Sequence, residues 1–225
     1  PADPEEVFTR IREDRQYIAK PSTDTGSGNG IQFFSGADGA EAIRKQLDRF
    51  GPADYIVQEI VRQHADLAAF NPTSVNTIRV VTMVFRGKPS ILSAILRVGH
   101  SGSRVDNISK GGYQAVIRPD GTLEKDAYTH FDGKDDTAVC SDTGKAFDGA
   151  VIPSWDKVSE TALDLAVRLP HLRLIGWDFS VDEDGNVVLI EFNGHFAQNQ
   201  ENCGPTFGDQ TDEVLAAVFG KGRQK

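Results

Sequence analysis

An α+β protein of two lobes around a cleft is the fold class that the sequence predicts, on three observations. Residues 16–34 read as two strands joined by a glycine-rich stretch, followed by a helix and a further strand. Residues 76–128 and 172–193 are long β-rich runs joined by short turn signals. A chain of 225 residues is long enough for a sizeable core or for two small lobes.

Composition narrows the function classes. Lys and Arg number 24 against 33 Asp and Glu, a formal charge of −9, which argues against a generally basic nucleic-acid binder and leaves room for a local positive pocket. Hydrophobic residues at 39% and charged residues at 25% describe a soluble globular chain. No run approaches the roughly 18 apolar residues of a membrane span. Two cysteines, Cys140 and Cys203, encode neither a disulfide framework nor a thiolate cluster and fit a reducing cytoplasm.

The first lobe is expected over residues 1–70. A helix from about Pro4 to Asp14 is capped by Asp3, carries Glu5 and Glu6 at its positive end, and turns Val7, Phe8 and Ile11 inward. QYIAK is a strand closed by Pro21, and IQFF at 31–34 is its partner across STDTGSGNG. Ala42, Ile43, Leu47 and Phe50 at helical spacing predict a helix over 38–50, stopped by Gly51-Pro52. DYIVQEIV is the next strand, and HADLAAF a short helix ended by Asn71-Pro72.

The second lobe is expected over residues 71–225. NTIRVVTMVF and SILSAILRV form a hairpin through RGKP, and GGYQAVIRPDGTLEKDAY gives another strand and return. Residues 129–153, polar and rich in Gly and Asp, are expected to wrap the surface. A helix over Trp155–Leu169 presents Val158, Ala162, Leu165 and Leu169, and DQTDEVLAAVF forms a last helix.

GWDFSVDEDGNVVLIEFN carries the sharpest chemical signal. With Asp184-Gly185 as a two-residue type I′ turn, Glu183 faces Asn186 and Asp178 faces Glu191, leaving their Cβ atoms roughly 4.5–5.5 Å apart. Like charges so placed need something positive between them. Asn193 shares their facing, while Val188, Ile190 and Phe192 are expected on the other. Two carboxylates and an amide oxygen suit Mg²⁺, particularly beside phosphate oxygens. The same residues also suit an ordinary solvated sheet face.

Lys20 ends a strand, and Gly26, Ser27, Gly28, Asn29 and Gly30 follow. Such glycines let backbone N–H groups close on an anion, and the lysine adds a point charge. No Gly-Lys-Ser/Thr follows, so this is not a Walker loop. Arg79 and Arg97 each interrupt an apolar run, and a buried arginine needs a partner, whether a carboxylate of the chain or a bound phosphate.

Together IAKPSTDTGSGNGI, YIVQEIVRQHADLAAF, PTSVNTIRVVT, ILRVG with VDNISKGG, and GWDFSVDEDGNVVLIEFNG resemble the C-terminal portion of an ATP-grasp enzyme, of the sugar-transfer-associated kind found with polysaccharide synthesis. The resemblance covers residues 18–195 and implies an ATP-grasp fold holding ATP in a nucleotide cleft between the lobes. It implies that Lys20 and the 26–30 loop contact phosphates, that Gln58, Glu59 and Ile60 form the hinge beside adenine, and that Asp66 meets the ribose. It further implies that Asp178, Glu191 and Asn193 hold Mg²⁺, that Arg97 steadies the transferring phosphate, and that Arg79 plays a lesser part. Asp106 and Asn107 are weighed as a substrate-side loop or a plain turn, Asn76 as a brace for its strand, His64 as a ribose contact or surface residue, and His195 as an acceptor-side group.

The activity so implied is an ATP- and Mg²⁺-dependent carboxylate ligase. Its partners are a small-molecule carboxylate and a nucleophilic acceptor, and its product is made through an acyl phosphate. A small-molecule or sugar kinase is the second reading, and a nucleotide-binding regulatory or assembly protein the third. Full enzymes of this kind have a preceding domain, and one is expected upstream of residue 1.

Overall fold

The computed structural model describes residues 4–22, 30–51, 54–100, 102–106, 108, 111–129, 136–137, 139–140, 143–194 and 200–220. The chain divides into two units, Pro1–Val61 and Arg62–Lys225.

In the first unit, helix α1 (Pro4–Arg10) precedes strand β1 (Gln16–Pro21), which lies between β2 (Gln32–Ser35) and β3 (Tyr55–Glu59) in an antiparallel sheet of order β2-β1-β3. Helix α2 (Ala40–Leu47) is flanked by single 3₁₀ turns. The first is closed by a reciprocal cap in which Ser35 Oγ accepts from Ala37 N and Asp38 accepts from Ser35 N. The core is Tyr17, Ala19, Phe34, Ile43 and Leu47, with Phe8, Ile11 and Phe50 packed against it. Ala42, one of the four apolar residues at helical spacing, is exposed.

In the second unit, α3 (Ala65–Ala68) leads into β4 (Thr77–Phe85), β5 (Lys88–Val98), β6 (Tyr113–Ile117), β7 (Leu123–Tyr128) and β8 (Asp136–Thr137). Then follow α4 (Trp155–Arg168), β9 (Leu174–Val181), β10 (Val187–Asn193), α5 (Gln200–Cys203) and α6 (Thr211–Phe219). The antiparallel sheet runs β10-β9-β4-β5-β6-β7-β8. Ile78, Val80, Leu96, Ala115, Trp177 and Phe179 turn to one face and pack with Val158, Ala162 and Ala166 of α4. Leu67 and Phe70 also belong to this core, so HADLAAF packs within the larger unit.

Two expectations are corrected by tertiary packing. The polar stretch 129–153 contributes Cys140, Phe147 and Ile152 to the core, with the Phe147 ring stacked on Phe70 at 5.2 Å. No periodicity announces them, because isolated inward residues in a loop have none. The second correction is the hairpin tip. Asp182 N donates to Asn186 O and Gly185 N donates to Asp182 O, so the loop holds three residues and Gly185 takes the positive φ of 80°. The type I′ geometry occurs instead at Arg86 and Gly87, with φ of 51° and 78°.

Candidate functional site

The sheet face opposite α4 is built by alternation along its strands. Arg79 on β4 lies directly across from Asp178 on β9, and Asp178 across from Glu191 on β10. The Asp178–Glu191 pairing therefore matches the expected one, although the turn does not. Pairing numbers shift at a bulge between Leu189 and Glu191, where Ile190 is the extra residue. One residue moved from β9 into the loop is offset by one moved from β10 into the bulge. Between loop and bulge the facing is reversed: Val188 pairs with Ser180 and so shares Asp178's face, whereas it was expected on the other. Phe192 does take the other face, its ring 5.6 Å from that of Trp177.

The positive group required beside the two carboxylates is Arg79. Its Nε donates to Asp178 Oδ1 and its Nη2 donates to Asp178 Oδ2 at 2.6 Å, a forked pair in which Arg79 is 6% and Asp178 2% exposed. Burial acts to lower the Arg79 pKa, but Asp178, Asp106 and Glu191 together raise it above the ordinary arginine value. Arg97 on β5 approaches Asp106 Oδ1 at 3.5 Å and Asp178 Oδ2 at 3.7 Å. Burial pushes the Asp106 carboxyl above its ordinary value, against the opposing pull of Arg97 and a hydrogen bond from Thr77. Arg97 Nε, Asp106 Oδ2 and Ser180 Oγ are buried with no hydrogen-bond partner among the described residues.

Asn193 and Glu191 lie at the outer strand, Glu191 exposed and Asn193 half-buried, with Asn193 Nδ2 3.4 Å from Glu191 Oε1. Among the described residues no group of three His, Cys, Asp or Glu side chains is disposed to hold a metal. The expected set is two carboxylates and one amide, and its donor types fit Mg²⁺: hard oxygens, two of them charged, on adjacent strands. Each carboxylate oxygen has two lone pairs, so Arg79's hydrogen bonds leave Asp178 further acceptor capacity.

Several other expected residues have plain positions. Lys20 lies on β1, half-buried and paired in register with Ile56. Gln58 and Glu59 are exposed on β3, with Glu59 Oε1 3.0 Å from Arg15 Nη1. Ile60 N donates to Gln16 O at 2.8 Å, so among the three hinge residues it is Glu59 whose backbone faces away from β1. His64 caps α3, accepting from Asp66 N at 3.2 Å, and the exposed Asp66 carboxylate lies 3.5 Å from its ring. Asn76 is a brace: its Nδ2 donates to Gln63 Oε1 and to the carbonyls of Leu67 and Asn71. Gly30 is exposed at φ 74°. Gly26, Ser27, Gly28, Asn29, Asn107 and His195 lie outside the described residues.

Sequence reasoning missed the partnership of Arg79 with Asp178 and that of Arg97 with Asp106. It also missed Gln114, which lies across from Arg97 on β6 and accepts from Asn202 Nδ2 at 2.8 Å. The first pair joins residues 99 apart in the chain, and no local pattern carries such a pairing. The apolar runs broken by single arginines were the one available signal.

The family described as sugar-transfer associated ATP-grasp matches residues 3–200. No curated protein matches the sequence. Among solved structures, the ADP complex of purK, an N5-carboxyaminoimidazole ribonucleotide synthetase, is similar at 12% identity and a TM-score of 0.53, over 86% of this chain and 38% of that one. The ATP-grasp ligase PsnB with minimal precursor, Mg and ADP is similar at 17% identity and a TM-score of 0.51, over 95% of this chain and 50% of that one. PsnB with minimal precursor has 16% identity and a TM-score of 0.52, over 97% and 54%. The chain thus spans about 38–54% of the length of these structures, and likeness at such identities is one of fold.

Proposed function

The chain belongs to the sugar-transfer-associated ATP-grasp family and has its α+β fold, and from that premise we propose that it acts as an ADP-forming, Mg²⁺-dependent carboxylate ligase. The observation that supports this reading most is the charged row Glu191–Asp178–Arg79, flanked by Arg97, on the sheet face opposite the α4 core.

In the proposed reaction a substrate carboxylate oxygen bonds to the γ-phosphorus of ATP as the bond to the ADP oxygen breaks. A nucleophile then attacks the acyl carbon, phosphate leaves, and the nucleophile's proton is lost to solvent. Arg97, whose buried Nε has no hydrogen-bond partner among the described residues, is suited to developing phosphoryl charge. Arg79, held on Asp178, is a partner of that carboxylate rather than a phosphate contact. Asp178, Glu191 and Asn193 would hold Mg²⁺, which supplies charge neutralisation at phosphate oxygens. Lys20 and the 26–30 loop are assigned phosphate contacts, Gln58, Glu59 and Ile60 the adenine, and Asp66 the ribose. The acceptor is proposed from polysaccharide or cell-surface metabolite synthesis.

Glu191→Gln keeps the size of the side chain and removes its charge. It should weaken Mg-ATP binding in calorimetry by about tenfold or more, and unchanged binding would remove the metal role. Incubation with Mg-ATP, candidate carboxylates and hydroxylamine should yield a hydroxamate together with ADP. Labelled γ-phosphate retained on a stable alcohol or sugar product would establish a kinase instead. Nucleotide binding without consumption of any acceptor would favour a regulatory module.

A further inference from the structure

We infer that Arg79 is a built-in counter-ion for the Asp178–Glu191 pair, and that a divalent cation binds there against its charge. The inference rests on the metal reading above and adds a rival to it within the chain itself.

Three groups in one row across β10, β9 and β4 carry it. Asp178 and Glu191 are directly opposed, and Arg79 is directly opposed to Asp178 on the far side. Two neighbouring carboxylates repel, and Asp178, at 2% exposed, has little water to shield it. A forked guanidinium satisfies both of its oxygens, and the field of Glu191 also acts on Arg79. Arg97 approaches the same carboxylate at 3.7 Å but divides itself with Asp106. Arg79 and Arg97 together therefore offset all but one of the three carboxylate charges of Glu191, Asp178 and Asp106, with Arg79 meeting that of Asp178 directly. The lone pairs left on Asp178 give a metal room to bond, so the opposition between Arg79 and a cation is one of charge and not of occupancy.

The physical consequence has a definite sign. Removal of Arg79 leaves a buried carboxylate beside a second one, which destabilises the metal-free chain and raises its affinity for a divalent cation. The opposite role, in which Arg79 orients Asp178 for the metal, predicts a weaker affinity on removal.

Mn²⁺, followed by electron paramagnetic resonance without nucleotide, distinguishes the two, alongside thermal unfolding of the same proteins. In Arg79→Met, Mn²⁺ should bind about tenfold more tightly than in the parent. The midpoint without metal should fall by roughly 10 °C, saturating Mn²⁺ should recover more of it than in the parent, and a second substitution, Asp178→Asn, should restore most of it while abolishing the gain in affinity. Arg79→Lys, which keeps the charge and loses the fork, is the variant that tolerates folding best and should fall between. Equal or weaker Mn²⁺ binding in Arg79→Met and Arg79→Lys overturns the inference and leaves the metal reading standing. So does a double variant whose midpoint is the sum of two independent losses. Absence of Mn²⁺ binding from every chain overturns the inference, and the Mg-ATP calorimetry of Glu191→Gln then decides separately whether the metal reading falls with it.

Discussion

Trp177, Phe179 and Val181 point from β9 into the packing against α4, while Asp178 and Ser180, between them on the same strand, point to the opposite face. All five are buried, and Ser180 is as inaccessible as Phe179. One face is held by apolar area and shape, where any well-fitting hydrocarbon serves. The other is held by a match of charges that makes each member dependent on its partner. Burial alone does not separate a core from a site in this sheet. What separates them is whether a side chain's neighbours can be exchanged without leaving a charge behind.

Substitutions on the two faces test that distinction. The largest effect should come from the packed face: Phe179→Ala should cost about 3–5 kcal/mol in chemical unfolding, with any nucleotide binding lost only as the fold is lost. Glu191→Gln, at the exposed end of the other face, should change stability by no more than about 0.5 kcal/mol while it weakens Mg-ATP binding. A comparable stability loss in both would mean that the charged row is a second core.

A smaller effect with a definite pH dependence is expected at Asp106. Burial raises its folded-state pKa above the unfolded value, so the folded chain holds the proton more tightly. Its contribution to stability is greatest below the unfolded pKa, declines as pH rises toward the folded value, and is flat above it. The midpoint of the parent relative to Asp106→Asn should therefore fall as pH rises from the ordinary carboxylate range through the raised folded value. A difference that grows with pH would show that Arg97 outweighs burial.

The smallest effect concerns Cys203, half-buried on α5, whose thiol is pushed up to about 11 by burial, with Glu124 adding to it. Its alkylation at neutral pH should be slow and should rise about tenfold per pH unit as the thiolate fraction grows. A fast neutral reaction would place the thiol in a far more cationic setting than the one described.

The strand sequence was legible where the signal was local. Arg86-Gly87, the helix Trp155–Arg168 and the strands flanking residue 184 could all be read from period and turn residues. Asp178 and Glu191 could be paired by counting because they share a hairpin. Arg79 could not be paired with Asp178, since its strand joins β9 only in the assembled sheet, and Phe147 could not be placed in the core from a loop without rhythm. The turn was misread for a physical reason: Asp182 Oδ1 accepts from Asp184 N and Asn186 N, and Asn186 Nδ2 donates to Asp182 Oδ2. These bonds hold the Asp182 carboxyl below its ordinary pKa and favour a wider loop over the two-residue one.

That wider loop and the bulge at Ile190 have a joint consequence. The expected two-residue tip without a bulge and the observed three-residue tip with one use the same number of residues, and by count both leave Asp178 opposite Glu191. Between the two, only the β10 residues from tip to bulge differ in facing, because β9 keeps its own through β4, and nothing beyond the bulge differs. Ile190 thus behaves as a slip joint, taking up a one-residue displacement before it reaches the carboxylates. A one-residue change in the length of the tip is thereby taken up ahead of Glu191, and the acidic pair stays opposed.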